Sequence, residues 1–350
     1  MKSIWKDDWP SKWEIDRAWE VLVSWNNQSQ EFLDALKIIH IYRKQHYHPM
    51  VTINNSIKSR IKTKSLWKIE YTLSQRLKRL QSIILKLSNK EKETHKMQLS
   101  RMQDIGGIRI VVKSIGDAIK LSEILSNTTK WIRRYQTIRF KNYIYEPSED
   151  WYRGIHIIYN FKDESNHKDF SIELQIRTEM QHIWAMAVET FTMFSGEGIK
   201  FRQGDSNIRS YFELVADGFS ILEWWMISTK RKNISKDTIF CEIKTKTQEL
   251  EIIEKLRWFQ KVFHSVYNKE INSKHKEYIL QIDKKNKKIS TIIYKESLRQ
   301  EFTRNEQDEN LISVLIKVDD IKKIKSIYPS YYADTNVFIT KIEEICTRCK

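Results

Sequence analysis

The 350-residue chain has few cysteines and no long hydrophobic segment. It contains three cysteines, and this small, odd number argues against a disulfide framework and for a reducing compartment. No apolar run approaches the ~18 residues that a membrane-spanning helix needs. The N-terminus carries charged residues where a signal peptide would have an apolar core. These absences argue against secreted disulfide scaffolds and membrane-spanning proteins, and they predict a cytoplasmic location.

The composition indicates a globular, basic protein. Hydrophobic residues make up 40% of the chain, and 12 Trp, 15 Tyr and 14 Phe supply large side chains for a core. The length leaves room for two domains. The net charge of +16 favours polyanionic partners such as nucleotides or RNA. A proteome-wide lysine bias would explain the same charge, because the lysines are dispersed along the chain.

The segment from Arg101 to Val112 carries the first candidate for chemistry. It places Asp104 just before Gly106 and Gly107, and Arg109 follows within an apolar run. Glycines let a phosphate or metal approach the backbone closely, and an acid beside an arginine suits a metal–nucleotide site. The same residues are also ordinary turn chemistry, so this segment alone leaves both interpretations open.

A second segment, from Phe170 to Thr178, alternates strictly between apolar and polar residues and predicts a strand. Glu173, Gln175 and Arg177 share its polar face, where they offer a metal ligand, a base-reading amide and a phosphate-binding guanidinium. The alternative interpretation is an amphipathic strand with one solvated face. Between the two segments lies an aromatic and cationic loop, Trp151 to His156.

Four motifs resemble, in order and spacing, the synthetase domain of the RelA/SpoT family. They are D-I-G-G-I-R (104–109), W-Y-R-G-I-H (151–156), E-L-Q-I-R-T (173–178) and H-I-W-A-M-A-V-E (182–189). Upstream, S-R-I-K-T-K-S-L-W-K (59–68) resembles the basic ATP-binding stretch of that family. The resemblance covers about residues 54–229. It implies a pyrophosphokinase that moves the β,γ-diphosphate of ATP onto a ribose 3′-hydroxyl and releases AMP.

The resemblance also implies roles for individual residues. Asp104 and Glu173 would hold Mg²⁺, and Glu173 would also lie near the acceptor hydroxyl and take its proton. Five cations would bind ATP: Arg60, Lys62, Lys68, Arg109 and Arg177. Three residues would bind the acceptor nucleotide. Tyr152 would stack on its base, and His156 and Gln175 would orient its sugar or base edge. The acceptor in the family is GDP or GTP, and the product is (p)ppGpp.

The loop before Tyr152 departs from the family pattern and leaves the acceptor open. Ser148 stands where the family has a lysine, Trp151 stands where it has a glycine, and Glu146 and Glu149 make the loop acidic. An acidic loop is a poor seat for the phosphates of GTP. The alternative acceptor is the 3′ end of tRNA, or an adenine nucleotide, as in toxic members of the family. The basic and aromatic stretch 130–141 fits contact with single-stranded RNA.

A third interpretation is an inactive synthetase that serves as a binding module, which the presence of both predicted metal ligands argues against. The chain has no His-Asp dipeptide, so the metal-dependent hydrolase of bifunctional family members is not expected here.

The predicted fold class is α/β (α+β), a nucleotidyltransferase-like mixed β-sheet flanked by helices, with a C-terminal α+β module. The predicted domains are an N-terminal helical region (1–53), the synthetase domain (54–229) and the C-terminal module (238–350). An apolar stripe at helical spacing from Leu66 to Leu87 predicts an amphipathic helix. Further helices are expected over 211–229, 238–267, 295–307 and from about 319 and 334. Strands are expected near 278–282, 289–294 and 311–318.

The C-terminal module is predicted to restrain the synthetase domain. The alternatives are that it completes the core or forms a contact in a homo-oligomer. Cys346 and Cys349 form a C-x-x-C pair near the end of the chain. They are interpreted as two incidental thiols, since a zinc site would need an additional histidine.

Overall fold

A computed structural model describes the chain in 14 stretches, which are 9–23, 30–63, 68–78, 80, 82–83, 86–87, 98–127, 134–163, 168–195, 205–257, 277–283, 288–293, 311–317 and 335–349. The chain forms two compact units. The first comprises 1–112, 116–141 and 155–176, and the second comprises 113–115, 142–154 and 177–350. The domain limits inferred from the sequence stay a prediction.

The described part of the first unit contains a five-stranded mixed sheet and four helices described along their whole length. The helices are α1 (Lys12–Val23), α2 (Gln30–Gln45), α3 (Tyr47–Thr63) and α4 (Ile115–Ser126). The strands are β1 (Tyr71–Leu77), β2 (Gly106–Val112), β3 (Tyr135–Asn142), β4 (Ile155–Asp163) and β5 (Lys168–Thr178). Their order in the sheet is β1-β2-β5-β4-β3. A mixed sheet flanked by helices confirms the predicted fold class.

The alternation predicted over residues 170–178 is observed on β5, where Phe170, Ile172, Leu174 and Ile176 are buried and the residues between them are less so. The burial of β2 alternates in the same way. Ile108, Ile110 and Val112 are buried on β2 while the residues between them are less so. A Cβ added at Gly106 would lie 2.6 Å from Cδ1 of Ile172 on β5. The absence of a side chain at Gly106 therefore lets the two central strands pack closely, which is a structural use for a glycine of the first motif.

The helix predicted from Leu66 to Leu87 is wrong over residues 71–77, which form β1. This strand pairs antiparallel with β2, from Tyr71 opposite Val112 to Leu77 opposite Gly106. Backbone pairing with a central strand satisfies every second peptide group of the segment, and this tertiary contact outweighs the helical spacing of its leucines. Leu80 and Leu87, further along the stripe, are helical and buried as predicted.

The described part of the second unit contains four longer helices, a short helical segment at 252–257 and a three-stranded sheet. The helices are α5 (Glu179–Ser195), α6 (Ser206–Leu222), α7 (Lys236–Glu249) and α8 (Asn336–Arg348). The strands are β6 (Glu277–Asp283), β7 (Lys288–Ile293) and β8 (Leu311–Lys317), in the order β7-β6-β8. These strands and the start of α8 confirm the sequence predictions for the C-terminal part. The helices predicted over 295–307 and from 319 lie outside the described residues.

One predicted helix ends earlier than expected and another is interrupted. The helix predicted to reach Thr229 ends at Leu222, and Trp224 follows with a φ of 55°. The helix predicted over 238–267 is interrupted after Glu249, where Glu251 has a φ of 50°, and resumes over 252–257; residues 258–267 lie outside the described residues. A left-handed residue cannot continue a right-handed helix. Among the described residues, no helix is long and apolar enough to cross a membrane.

Helices α7 and α8 share one hydrophobic core with α5 and α6. The ring of Phe338 on α8 lies 6.1 Å from that of Phe212 and 5.6 Å from that of Phe219, both on α6. A Cβ at Gly218 of α6 would lie 2.5 Å from Cδ1 of Ile243 on α7. The packing therefore favours the interpretation that these C-terminal helices complete a core.

A disulfide joins Cys241 on α7 to Cys349, the residue just after α8. The expectation that Cys346 and Cys349 are incidental thiols is therefore wrong for Cys349, and the cysteine count was wrong as an argument against a disulfide. The two residues are 108 positions apart, with their Cα atoms 4.9 Å from each other. Only the packing of α7 on α8 brings them together, and a cysteine count contains no information on that packing. Cys346 remains a thiol, and burial raises its pKa.

Candidate active site

Asp104 lies at the start of β2 and carries two lysine contacts that the sequence analysis missed. Its Oδ2 accepts hydrogen bonds from Nζ of Lys78 at 2.8 Å and of Lys86 at 2.7 Å. Its Oδ1 is buried and has no hydrogen-bond partner. Burial by itself would raise the pKa of Asp104, but the two ammonium groups outweigh it and hold the pKa well below the ordinary value. Asp104 is therefore ionised at neutral pH, with one oxygen still available to a ligand.

Lys78 and Lys86 belong to the basic segment for which a continuous helix was predicted. Lys78 directly follows β1, the strand that replaces this part of the helix. The pairing of β1 with β2 brings Lys78 to the start of β2, where Asp104 lies. A prediction of β1 as a strand paired with β2 would therefore have identified Lys78 as a neighbour of Asp104.

Glu173 lies on β5, which neighbours β2 in the sheet. Its Oε1 is 3.0 Å from Nδ1 of His156, and its Oε2 accepts a hydrogen bond from Nε2 of Gln175 at 2.7 Å. Burial would raise the pKa of Glu173, as does the nearby charge of Asp104, but the His156 contact outweighs both and the pKa falls to about 2. The structure thus brings together three of the predicted site residues on β4 and β5.

The two carboxylates suit a hard divalent cation such as Mg²⁺. Asp104 offers an unpartnered buried oxygen, and the charge of Asp104 is felt at Glu173. Among the described residues, no group of three or more His, Cys, Asp or Glu side chains forms a metal cluster. Mg²⁺ is commonly bound by one or two carboxylates, with phosphate oxygens and water completing its shell. The donor set therefore fits an ion that arrives with a nucleotide.

The predicted ATP-binding cations of the first unit lie in different environments. Arg60 donates to the carbonyls of Ile124, Leu125 and Asn127 at the end of α4, an arrangement that satisfies carbonyl groups left open at a helix C-terminus. Lys62 is exposed near the end of α3, and Lys68 is exposed in a turn before β1. Arg109 lies on β2 opposite Ser74 of β1. Their roles toward ATP stay predictions.

In the second unit, Tyr152 and Arg177 bind each other. Arg177 donates from Nε to the Tyr152 hydroxyl at 2.8 Å, and its guanidinium lies 4.7 Å from the centre of the ring. A Cβ at Gly154 would lie 2.5 Å from the Tyr152 hydroxyl oxygen, so the glycine makes room for this arrangement. The residues predicted to bind the acceptor base and ATP phosphate are therefore in direct contact.

The loop containing Tyr152, residues 143–154, is closed and anchored within the second unit. Tyr143 donates its backbone N–H to the carbonyl of Gly154 at 2.9 Å, which closes the loop. The carbonyl of Ile144 accepts from Nη1 of Arg153 and from Nε1 of Trp225, each at 3.1 Å. Nη2 of Arg153 lies 3.6 Å from Oδ1 of the buried Asp217 on α6. These contacts position the 143–154 loop through residues that the motifs did not indicate.

Two ionised carboxylates on neighbouring strands, with lysines beside one of them, are typical of proteins that bind metal–nucleotide complexes. Residues 75–194 match the family described as "Region found in RelA / SpoT proteins". The chain carries a RelA/SpoT region, and the resemblance inferred from the motifs is confirmed.

Named relatives align with about the same part of the chain. The GTP pyrophosphokinase YwaC of Bacillus subtilis (strain 168) is 32% identical over 120 residues, which are 33% of this chain and 55% of that protein. The GTP pyrophosphokinase YjbM of the same organism is 30% identical over 112 residues, 31% of this chain and 50% of that protein. The matched segment thus spans about half the length of these relatives.

Among solved structures, the small alarmone synthetase 1 of Bacillus subtilis bound to its product pppGpp superposes with a TM-score of 0.41 and 22% identity. The superposition covers 52% of this chain and 92% of that one.

Proposed function

We propose that this chain is an ATP-dependent pyrophosphokinase that transfers the β,γ-diphosphate of ATP to a ribose 3′-hydroxyl. The observation that carries the proposal is the Asp104 carboxylate, which is ionised and partly buried, with two lysines on Oδ2 and a buried, unpartnered Oδ1. The RelA/SpoT region and the two relatives named GTP pyrophosphokinases support it. In the reaction the acceptor 3′-oxygen forms a bond to the β-phosphorus and loses its proton to solvent. The bond from the β-phosphorus to the α,β-bridging oxygen breaks, and AMP leaves with that oxygen.

Asp104 and Glu173 would hold the metal, and Lys78 and Lys86 would bind phosphate oxygens. Bound Mg²⁺ supplies charge neutralisation on the phosphates. Lys78 and Lys86 are both within 3 Å of Asp104 Oδ2, and ammonium groups so placed stabilise charge that develops during transfer. Of the two roles predicted for Glu173, a pKa near 2 favours metal ligation over proton acceptance, since an efficient general base has a pKa near the working pH.

The acceptor proposed first is GDP or GTP, in keeping with the names of the relatives. His156 and Gln175 would orient it, and Tyr152 would stack on its base. RNA is the second candidate, because β3 presents exposed apolar and basic side chains together. Phe140 is 45% exposed there, and Arg139 and Lys141 are exposed beside it. Aromatic and basic side chains in one stretch are typical of single-strand binding.

The test is a transfer assay with γ-³²P-ATP and Mg²⁺, in which GDP, GTP, AMP and deacylated tRNA are offered in parallel. Label on GDP or GTP would support the first acceptor, and label on the tRNA end would support the second. Absence of transfer to all four, with folded protein, would contradict the proposed activity. Charge reversal of Arg139 and Lys141 separates the acceptors further, since it should cripple transfer to tRNA and spare transfer to GTP.

A further inference from the structure

The lysine that follows β1 joins the candidate site to the end of an outer strand. β1 is the outer strand next to β2 in the described sheet, and its pairing with β2 runs as far as Leu77 opposite Gly106. Lys78 comes next, and its Nζ donates to Asp104 at 2.8 Å. Strand ends open more readily than strand centres. The position of the Lys78 ammonium therefore depends on how the backbone of Lys78 is held.

The backbone of Lys78 is held on both sides. Its N–H donates to the carbonyl of Ile105 at 2.7 Å, which extends the pairing with the segment of β2 by one residue. Its carbonyl accepts from Nε of Arg43, in the last turn of α2, at 2.9 Å. Nη1 of Arg43 lies 3.3 Å from Nδ1 of His40, one turn earlier on the helix. Arg43 thus connects α2 to the residue whose ammonium binds Asp104.

The segment that leads to Asp104 is attached to the same pair of helices. Asp16 on α1 accepts from the Ser100 N–H through Oδ1 at 2.8 Å and from the Ser100 hydroxyl through Oδ2 at 2.7 Å. Helices α1 and α2 also share a hydrophobic core with residues that flank Lys78 and Asp104 in sequence, namely Leu80, Leu99, Met102 and Ile105. The two N-terminal helices therefore support both partners of the ion pair.

We propose that Arg43 is a positioning residue of the transfer site, which holds the Lys78 ammonium where it meets Asp104 and the phosphates of ATP. This rests on the proposed function, since it gives Arg43 a part in the same reaction. Arg43 lies outside residues 75–194, which match the RelA/SpoT region. A misplacement of about 1 Å in an active site can cost roughly a hundredfold in rate, so a backbone contact two steps from the phosphates can control turnover.

Displacement would also affect the charge of Lys78. Burial lowers the pKa of Lys78, and the charge of Asp104 opposes that shift. An ammonium that moved away from Asp104 while it stayed buried would therefore hold its proton less tightly. Correct placement by Arg43 preserves both the location and the charge of the group that meets the phosphates.

The first test compares Arg43→Gln with Arg43→Met. Nε2 of glutamine is the same number of bonds from Cα as Nε of arginine, so Arg43→Gln keeps a donor for the Lys78 carbonyl. Both variants lose the charge and the guanidinium contact with His40. Arg43→Met should lower turnover with saturating ATP and acceptor by about tenfold or more, whereas Arg43→Gln should stay close to wild type.

The control is Arg17→Met, which makes the same change at an exposed position of α1 and should leave turnover unchanged. Equal losses in Arg43→Gln and Arg43→Met would overturn the proposal, because the charge or the packing of Arg43 would then matter and its donor would not.

A double-mutant cycle separates positioning from a general loss of structure. In a Lys78→Met background, Arg43→Met should have little further effect on turnover, since no ammonium is left to position. The full loss from Arg43→Met in that background would mean that Arg43 acts independently of Lys78, and the proposal would fail.

Acetylation of Lys78 by acetic anhydride, measured by peptide mass spectrometry, tests the ion pair without ATP. The Lys78 side chain is 21% exposed beside Asp104. Arg43→Met should make Lys78 react faster and Arg43→Gln should not, while the exposed Lys37 should react equally in every protein. An unchanged Lys78 rate in Arg43→Met would overturn the proposal. The expected labelling, together with absence of transfer by the wild type, would support the placement of Lys78 by Arg43 and contradict only the proposed function.

Discussion

At the scale of single residues, Asp104 is the most informative side chain of the chain. Its ionisation depends on Lys78 and Lys86, and its second oxygen has no partner among the residues that the structure describes. The two lysines also hold positive charge close to the place where a nucleotide phosphate would approach. A carboxylate so arranged serves binding more than stability, because a buried oxygen without a partner costs free energy.

Asp104→Asn should reduce transfer at least a hundredfold while the protein stays folded. The amide removes the charge that a metal requires, and loss of one electrostatic stabiliser alone costs about 10²–10³ in turnover. The measurement is turnover at saturating Mg²⁺ together with a thermal melt, and Asp237→Asn at an exposed position is the control. Retention of more than about a tenth of wild-type turnover, well above that expectation, would contradict the assignment.

Glu223 makes stability depend on pH. Burial raises its pKa from 4.5 to about 7, with a hydrogen bond from Thr178 and the charge of Arg153 opposing the shift. The folded protein therefore holds this proton more tightly than the unfolded chain. The associated stability is fully present below about pH 4.5 and is lost as the pH rises through 7.

Glu223→Gln should therefore stabilise the protein at pH 8 relative to wild type, by at most on the order of 3 kcal/mol, and should have little effect at pH 4.5. Thermal melts of both proteins at the two pH values check this, with Glu20→Gln on the exposed side of α1 as the control. An equal effect of Glu223→Gln at both pH values would show that the carboxyl is not the titrating group.

At the scale of elements, the 143–154 loop is held by α6 and the segment after it. The Ile144 carbonyl receives two donors, from Arg153 and Trp225, and the Trp225 ring lies 5.4 Å from that of Tyr145. Asp217, which binds Arg153, also accepts from Ser228 and Arg231. The loop that carries Tyr152 therefore depends on a helix that the catalytic motifs do not include.

Trp225→Phe should raise KM for the acceptor about three- to tenfold and leave ATP affinity unchanged. The substitution keeps an aromatic ring beside Tyr145 but removes the hydrogen bond to Ile144, which is worth about 0.5–1.5 kcal/mol. Trp224→Phe is a matched control, since Trp224 is 92% exposed and adjacent in sequence. Steady-state kinetics with each substrate varied in turn give the answer, and an equal rise in both KM values would sink the positional role.

The disulfide between Cys241 and Cys349 links α7 to the end of α8. It closes a segment of 108 residues, and cross-links of such length stabilise by about 2–5 kcal/mol. Cys241→Ser and reduction with dithiothreitol should each lower the melting temperature, and by equal amounts, because both remove the same cross-link. Cys346→Ser should leave the melting temperature unchanged. The free-thiol count would first establish that the disulfide has formed. If reduction then left the melting temperature unchanged, the disulfide would not stabilise the fold.

At the scale of the whole molecule, the C-terminal part of the chain divides into two roles. Helices α7 and α8, together with the short helical segment at 252–257, contribute nine buried side chains to the core that they share with α5 and α6. These side chains are Ile239, Phe240, Ile243, Ile252, Leu256, Phe338, Ile339, Ile342 and Ile345. The β6–β8 sheet lies between them in sequence. Restraint of the synthetase region by this part stays a prediction.

A fragment that stops at Asp237 should be insoluble or unfolded in its second half, because it exposes the apolar faces of α5 and α6. Expression beside the full-length chain, followed by solubility and near-UV circular dichroism, tests this expectation. A soluble fragment with higher turnover than the full chain would contradict it and would support restraint instead.

The sequence by itself determined several local elements, and it predicted which side chains are candidates for the site. Strict alternation predicted β5 because side-chain direction in a strand has a period of two. The motifs identified Asp104, Glu173, His156 and Gln175, and the RelA/SpoT resemblance carried by those motifs is confirmed. These features are local, so they can be inferred from neighbouring residues alone.

Only the tertiary structure decided which distant residues meet. It made a strand of residues 71–77, paired Lys78 and Lys86 with Asp104, used Arg60 at the end of α4 and joined Cys241 to Cys349. Each outcome depends on contacts between residues at least 18 positions apart in the chain. Periodicity and motif spacing record which face of an element is apolar, but they do not record which element it will pack against.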